Sequence, residues 1–169
     1  MIRSAIRFSC AAMIWSIVVA GLTCDQVFAS KFRCPNTIAV DVAAGIPFIF
    51  TSSQTFQNIP DNGLIFTQGG SGPGCVLIHY SADVFSSDTP DNVMVVRPLL
   101  DSATLATPSQ VVFTADDDED SDGLFFRSQA FQFLFPAVAP GQHQIVMQWR
   151  SVGGTVINMH GRTMTVTHQ

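Results

Sequence analysis

Two runs near the C-terminus alternate apolar and polar residues with period two, and few folds accommodate that. In the first, Phe131, Phe133 and Phe135 share a face. In the second, Ile145, Met147 and Trp149 share one face while Gln144, Gln148 and Arg150 take the other. Successive side chains point to opposite sides of an extended strand, so both runs predict half-buried β-strands. The break around Pro136, Pro140 and Gly141 predicts a loop, and Gly153-Gly154 can supply the positive φ angles of a tight turn. The block from Phe131 to Val166 is therefore expected to form an antiparallel meander. Its aromatic face must be covered by a sheet from upstream.

The upstream chain supplies candidates for that sheet. Val76 to Phe85 alternates most clearly, with Val76, Ile78, Tyr80, Ala82 and Val84 on one face. Asp88 to Asn92 reads as a turn and Val93 to Leu100 as its partner strand, with Pro98 marking a bulge or an edge. Shorter strands are expected at Thr37–Val42, Pro47–Thr51, Leu64–Thr67 and Gln110–Thr114. Pro60-Asp61-Asn62-Gly63 is read as a turn. No window of helical length shows apolar residues recurring at three and four. About eight to ten short strands separated by turn residues predict an all-β antiparallel sandwich, of jelly-roll type.

The N-terminus reads as a targeting segment. Arg3 and Arg7 give a basic start, Ala11 to Leu22 an apolar run, and Val27-Phe28-Ala29 the residues a signal peptidase reads, which places cleavage between Ala29 and Ser30. The apolar run is shorter than the roughly 20 residues that span a bilayer. The expectation is a secreted or periplasmic protein with a single domain over residues 30–169 and no membrane span in its mature form. Beyond the signal region only Cys34 and Cys75 remain, and an even pair in an exported chain predicts one disulfide.

Charge narrows the partners. Residues 30–169 carry one Lys and five Arg against eleven Asp and one Glu, a balance of −6, and half of the acids lie between Asp116 and Asp122. Nucleic-acid binding draws on clustered Lys and Arg, and no such cluster exists in the sequence. Within the acidic stretch, Asp118, Asp120, Asp122 and Gly123 match D-x-D-x-D-G, a spacing that gathers three carboxylates around a hard cation such as calcium. The twelfth position, where a helix-flanked calcium loop has a bidentate Glu, is Gln129. The competing reading is a solvated hairpin tip whose charges keep a strand edge from pairing.

Catalytic patterns are sparse. The G-x-S-x-G elbow is absent. Asp41, Asp83 and Asp101 are the carboxylates outside that stretch considered for glycoside hydrolysis, and His79, His143, His160 and His168 show no metal-ligand spacing. Trp149 shares its face with Ile145 and Met147 and is assigned to the core. That leaves Gln148 and Arg150, in the outward row with Gln144, as the residues to contact a ligand.

The residues GQHQIVMQWRS, GGT and RTMTV resemble the closing strands of exported bacterial β-sandwich domains, over roughly Cys75 to Val166. More distantly, the order of Val76–Val84, Val93–Leu100 and the aromatic strands is similar to jelly rolls of the tumour-necrosis-factor and complement-head type. That resemblance implies homo-oligomers and the binding of protein or surface ligands. The expectation is an exported, non-enzymatic binding or surface protein that requires no cofactor and takes a protein or glycan ligand. Where both faces of a strand are apolar, as in Phe125-Phe126 and Ile145-Val146-Met147, apolar surface is expected to remain for a partner. The rivals are a calcium-stabilised carbohydrate-binding module and a small hydrolase.

Overall fold

Alternation does become strand throughout this computed structural model, which describes residues 39–86, 93–114, 127–154 and 156–169, all within the unit Arg33–Gln169. Its strands are β1 (Ala39–Gly45), β2 (Ile49–Thr51), β3 (Gln57–Gln68), β4 (Gly74–Ser86), β5 (Val93–Leu100), β6 (Thr104–Leu105), β7 (Val111–Thr114), β8 (Arg127–Val138), β9 (Gly141–Val152) and β10 (Ile157–His168). No helix occurs among the described residues, so none there is long and apolar enough to cross a membrane. One sheet has the order β1-β10-β4-β8, with β2 also pairing β10. The other has the order β3-β9-β5, with β7 and β6 on successive parts of β5. All pairings are antiparallel, and the longer strands alternate between two packed sheets as in a jelly roll.

The core is the set of inward positions that alternation marks. Val76, Ile78, Tyr80, Ala82 and Val84 of β4 are buried, as are Phe133 and Phe135 of β8 and Ile145, Met147 and Trp149 of β9. Each such large side chain stabilises the fold by about 1.5–3 kcal/mol through the apolar surface it removes from water. Pro98 falls between the part of β5 that pairs β7 and the part that pairs β6, where a missing N–H costs no ladder bond on that side.

The expected meander is not what forms. β8 and β10 lie in one sheet with β4 between them, and β9 lies in the other sheet between β3 and β5. In a meander, three apolar faces would sit side by side and need a further sheet to cover them. Alternating between layers lets the β8 and β10 faces cover the β9 face directly.

Bulges account for the other departures. Pro60-Asp61-Asn62-Gly63 is not a separate turn but an interruption inside β3, where pairing jumps from Asn58↔Gln148 to Gly63↔Val146 and Asp61 adopts φ 57°. β3 is the edge of its sheet, so both the proline and the extra residues are tolerated there. The bulge turns Asn62 fully inward, where its Oδ1 accepts a hydrogen bond from the Tyr80 hydroxyl at 3.3 Å. β8 likewise runs through Pro136 to Val138 instead of ending, because β8 is the edge of the first sheet.

In β10 the register against β4 shifts between His160 and Thr163. Ile157 and Met159 are buried, Gly161 is exposed, and burial resumes at Arg162, Met164 and Val166. Gly161 has φ 56°, and a Cβ there would lie 3.0 Å from Asp83 Oδ2, so the position favours glycine twice over. The consequence is a guanidinium in the core. Arg162 is 1% exposed and its Nη1 donates to the Pro47 carbonyl at 2.6 Å, while Nε and Nη2 have no hydrogen-bond partner. Burial pushes the nearby Tyr80 phenol well above its ordinary pKa, with the Arg162 charge acting the other way.

The expected Cys34–Cys75 disulfide involves Cys34, which falls outside the described residues. Among the described residues no sulfurs lie at disulfide distance. Cys75 is buried at the start of β4, with its thiol 3.7 Å from the Pro136 carbonyl. Cys75 sits where the β4–β8 pairing is bulged.

Candidate functional site

The outward face of the second sheet gathers the polar side chains that alternation placed there. The pairings Asn58↔Gln148 and Arg97↔Gln148 put these three residues in one row across β3, β9 and β5. Val95↔Arg150 forms the next row, and Phe56, one residue before Gln57↔Trp149, falls opposite Arg150. Period two then makes all of them point away from the core, since Trp149 and Met147 point into it.

Hydrogen bonds tie the first row together. Arg97 Nε donates to Gln148 Oε1 at 3.0 Å, and Gln148 Nε2 donates to Asn58 Oδ1 at 2.9 Å. The Arg97 guanidinium then reaches diagonally over the sheet and lies 3.7 Å from the centre of the Phe56 ring, with the Arg150 guanidinium 5.2 Å from the same ring. A ring face attracts a cation, and the stack fixes Arg97 at small entropic cost. The segment carrying Phe56 is anchored by Ser151 N–H donating to the Ser53 carbonyl at 2.7 Å.

Two like charges thus share one ring, close enough to act on each other. Partial burial, and secondarily the Arg150 charge, lower the Arg97 pKa from its ordinary value. The described residues place no carboxylate against either guanidinium. Arg150 Nε is buried without a hydrogen-bond partner. Such an arrangement can bind an anionic group, because the anion would relieve the repulsion between the two cations.

The carboxylates considered for catalysis are engaged elsewhere, each separately. Asp83 accepts from the Ser128 hydroxyl. Asp41 Oδ2 meets His168 Nε2 at 2.8 Å, and His168 Nδ1 meets the main-chain oxygen of Gln169 at 2.9 Å. Asp101 Oδ2 meets His143 Nδ1 at 2.7 Å, and His143 Nε2 meets the Ala139 carbonyl at 2.8 Å. His143 of β9 and His168 of β10 both pack on the buried Phe66, with ring centres 5.7 and 4.8 Å from it. Every nitrogen of both rings is occupied, so neither ring can serve a nucleophile or ligate a metal in this arrangement.

No family model matches the chain, and no curated protein matches it. Solved structures similar to it are distant. An insecticidal delta-endotoxin from Bacillus thuringiensis is 12% identical with a TM-score of 0.41, over 72% of this chain and 20% of the toxin. Dimeric latent PorU from Porphyromonas gingivalis is 8% identical with a TM-score of 0.37, over 81% of this chain and 14% of that one. A family two carbohydrate esterase from Cellvibrio japonicus is 16% identical with a TM-score of 0.28, over 78% of this chain and 35% of the esterase. The chain spans about a third or less of the length of each.

Of the residues expected from sequence to form a site, Gln148 and Arg150 are on the outward face as anticipated. Asp118, Asp120 and Asp122 lie outside the described residues, and among the described residues no three His, Cys, Asp or Glu side chains gather to hold a metal. Sequence reasoning missed Arg97, Phe56 and Asn58. Arg97 did carry a signal, being the lone charge in the apolar strand Val93–Leu100. Phe56 carried none, because its position depends on where the β2–β3 connection crosses. Phe125 and Phe126 lie outside the described residues; among the described ones Val40, Val42, Phe48 and Phe50 are exposed on β1, on β2 and in the segment between them.

The Asp101–His143 pair makes a pH-dependent contribution. Asp101 is held below the ordinary carboxylate pKa, first by the Gln144 N–H donating to its Oδ1 and then by His143. His143 is raised above its ordinary value of 6.5, first by the Asp101 hydrogen bond. A raised histidine stabilises fully below its unfolded pKa and loses that contribution as pH rises through the folded value. A lowered carboxylate stabilises above its unfolded pKa and loses it as pH falls through the folded one. The pair therefore contributes most at about pH 5–6. Asp101→Asn keeps the side-chain oxygen and tolerates φ 51°. Its melting temperature should lie furthest below the parent's at about pH 5–6, and the gap should narrow without closing as pH rises through the folded pKa of His143, because the Gln144 N–H bond to the carboxylate persists. A constant gap across that range would show that the pair contributes shape and not charge.

Proposed function

We propose that the protein is an exported, non-enzymatic binding domain whose ligand seats on the outward face of the second sheet. The observation that supports this most is the Arg97–Arg150 pair, unneutralised among the described residues and fixed by Phe56, Gln148 and Asn58. The basic and then apolar N-terminus supports export. The engagement of Asp41, Asp83 and Asp101 with separate partners supports a binding role over a hydrolytic one.

A glycan array probed with the mature chain, residues 30–169, tests the reading. Phe56→Ala together with Gln148→Ala should weaken the ligand found by roughly tenfold or more while circular-dichroism melting stays near the parent's. Undiminished binding would move the site off this face. The array also separates the rivals. Binding lost on chelation would favour a calcium-stabilised carbohydrate-binding module seated on Asp118, Asp120 and Asp122, and cleavage of the bound ligand would favour a small hydrolase.

A further inference from the structure

We infer that the group this face recognises is the carboxylate or sulfate of an acidic polysaccharide, gripped between the Arg97 and Arg150 guanidiniums. The inference rests on the binding role proposed above and adds the chemistry of the ligand.

Charge comes first. Both guanidiniums approach one ring, Phe56, from the same side of the sheet, at 3.7 and 5.2 Å from its centre. Each carries five N–H donors, of which the protein uses the Arg97 Nε on Gln148. A planar carboxylate or a tetrahedral sulfate offers several acceptors in the space two forks can share, whereas a neutral hydroxyl would leave the repulsion between the cations in place.

The flanking groups then select the carrier of that charge. Gln148 and Asn58 form an amide row beside the arginines, and Gln144 extends the outward side of β9. Amides both donate and accept, as sugar hydroxyls do. An extended acidic peptide would instead gain most from main-chain pairing at a free strand edge. At β9, which carries Gln148 and Arg150, that is denied by pairing on both sides, with β3 and β5; the open edge of this sheet is β3, two strands from Arg97. Side-chain recognition of a hydroxyl-rich polymer fits an interior strand; strand addition does not.

The net charge of the protein is −5, so the arginine pair works against the overall field and its attraction is local. Binding should therefore weaken as salt screens it.

Isothermal titration with polygalacturonate, with its fully methyl-esterified neutral form, with dextran sulfate and with poly-glutamate tests the inference. The expected result is binding of the uronate or sulfated polymer, weakened by added salt, with little binding of the ester. Arg97→Gln and Arg150→Gln should each reduce affinity roughly tenfold, and the corresponding Lys variants should lose less. Melting curves check that each variant is folded. Equal binding of the ester, insensitive to the Gln substitutions, would overturn the acidic assignment while leaving the binding face intact if Phe56→Ala still weakens it. Poly-glutamate bound as tightly as the uronate would overturn the polysaccharide assignment. Failure of both acidic polymers to bind would overturn the inference outright, and a neutral glycan held on Phe56 and Gln148 would then show that the face itself survives.

Discussion

Replacing Trp149 with alanine is expected to cost about 3–5 kcal/mol, a large part of the stability of an ordinary domain. The indole is 2% exposed at the centre of β9, between Gln57 of β3 and Val96 of β5. Truncation removes its transfer free energy and leaves a cavity that two sheets hydrogen-bonded on either side cannot close. Trp149→Phe should cost less, about 1–2 kcal/mol. Urea unfolding at constant m-value measures both. Neither substitution should touch ligand binding in the folded state, since period two sends Arg150 outward wherever Trp149 points inward. Binding abolished by Trp149→Phe with the urea midpoint unmoved would make Trp149 a contact residue and remove it from the core.

Gly45→Ala should cost about 2–4 kcal/mol through the buried guanidinium it faces. A Cβ at that position would meet Arg162 Nη2 at 2.3 Å and Cζ and Nε at 2.9 Å, so the plane of the guanidinium lies against the glycine. Gly45 does not have a positive φ, and the cost is therefore steric. Arg162 is the flexible partner, but moving it breaks the Nη1 bond to Pro47 and disturbs a side chain that is 1% exposed. Arg162→Met removes a buried charge held by a single hydrogen bond, and its expected effect is neutral to stabilising, within about 1–2 kcal/mol. In the double variant the alanine should then be tolerated, giving a coupling of about 2 kcal/mol or more. Additive losses in that cycle would mean that the guanidinium does not set the requirement for glycine.

How far the chain could be read depended on the range of the physics involved. Period two is local, and it placed Phe133, Met147, Trp149, Val76 and Tyr80 inside and Gln148 and Arg150 outside. Bulges are where it failed. Gly161 shifts the phase of β10 by one residue and sends Arg162 inward, and the insertion at Pro60 to Gly63 does the same for Asn62. An extra residue leaves no mark in an alternation pattern until the partner strand is known. Only part of the candidate site was legible for the same reason: Arg150 and Gln148 lie on one alternating strand, but Arg97, Asn58 and Phe56 reach them only from β5, β3 and the β2–β3 connection.

By itself the sequence determined that this chain is an all-β sandwich and which side of each regular strand is apolar, because both follow from the geometry of an extended backbone acting over a few residues. It also carried the local signs on which the proposal of export rests. Which strand lies beside which was decided by tertiary structure. The aromatic faces near the C-terminus cover one another from opposite layers, and that contest is settled by burial across the whole core. The same long-range pairing brought two arginines 53 residues apart in sequence to one phenylalanine ring.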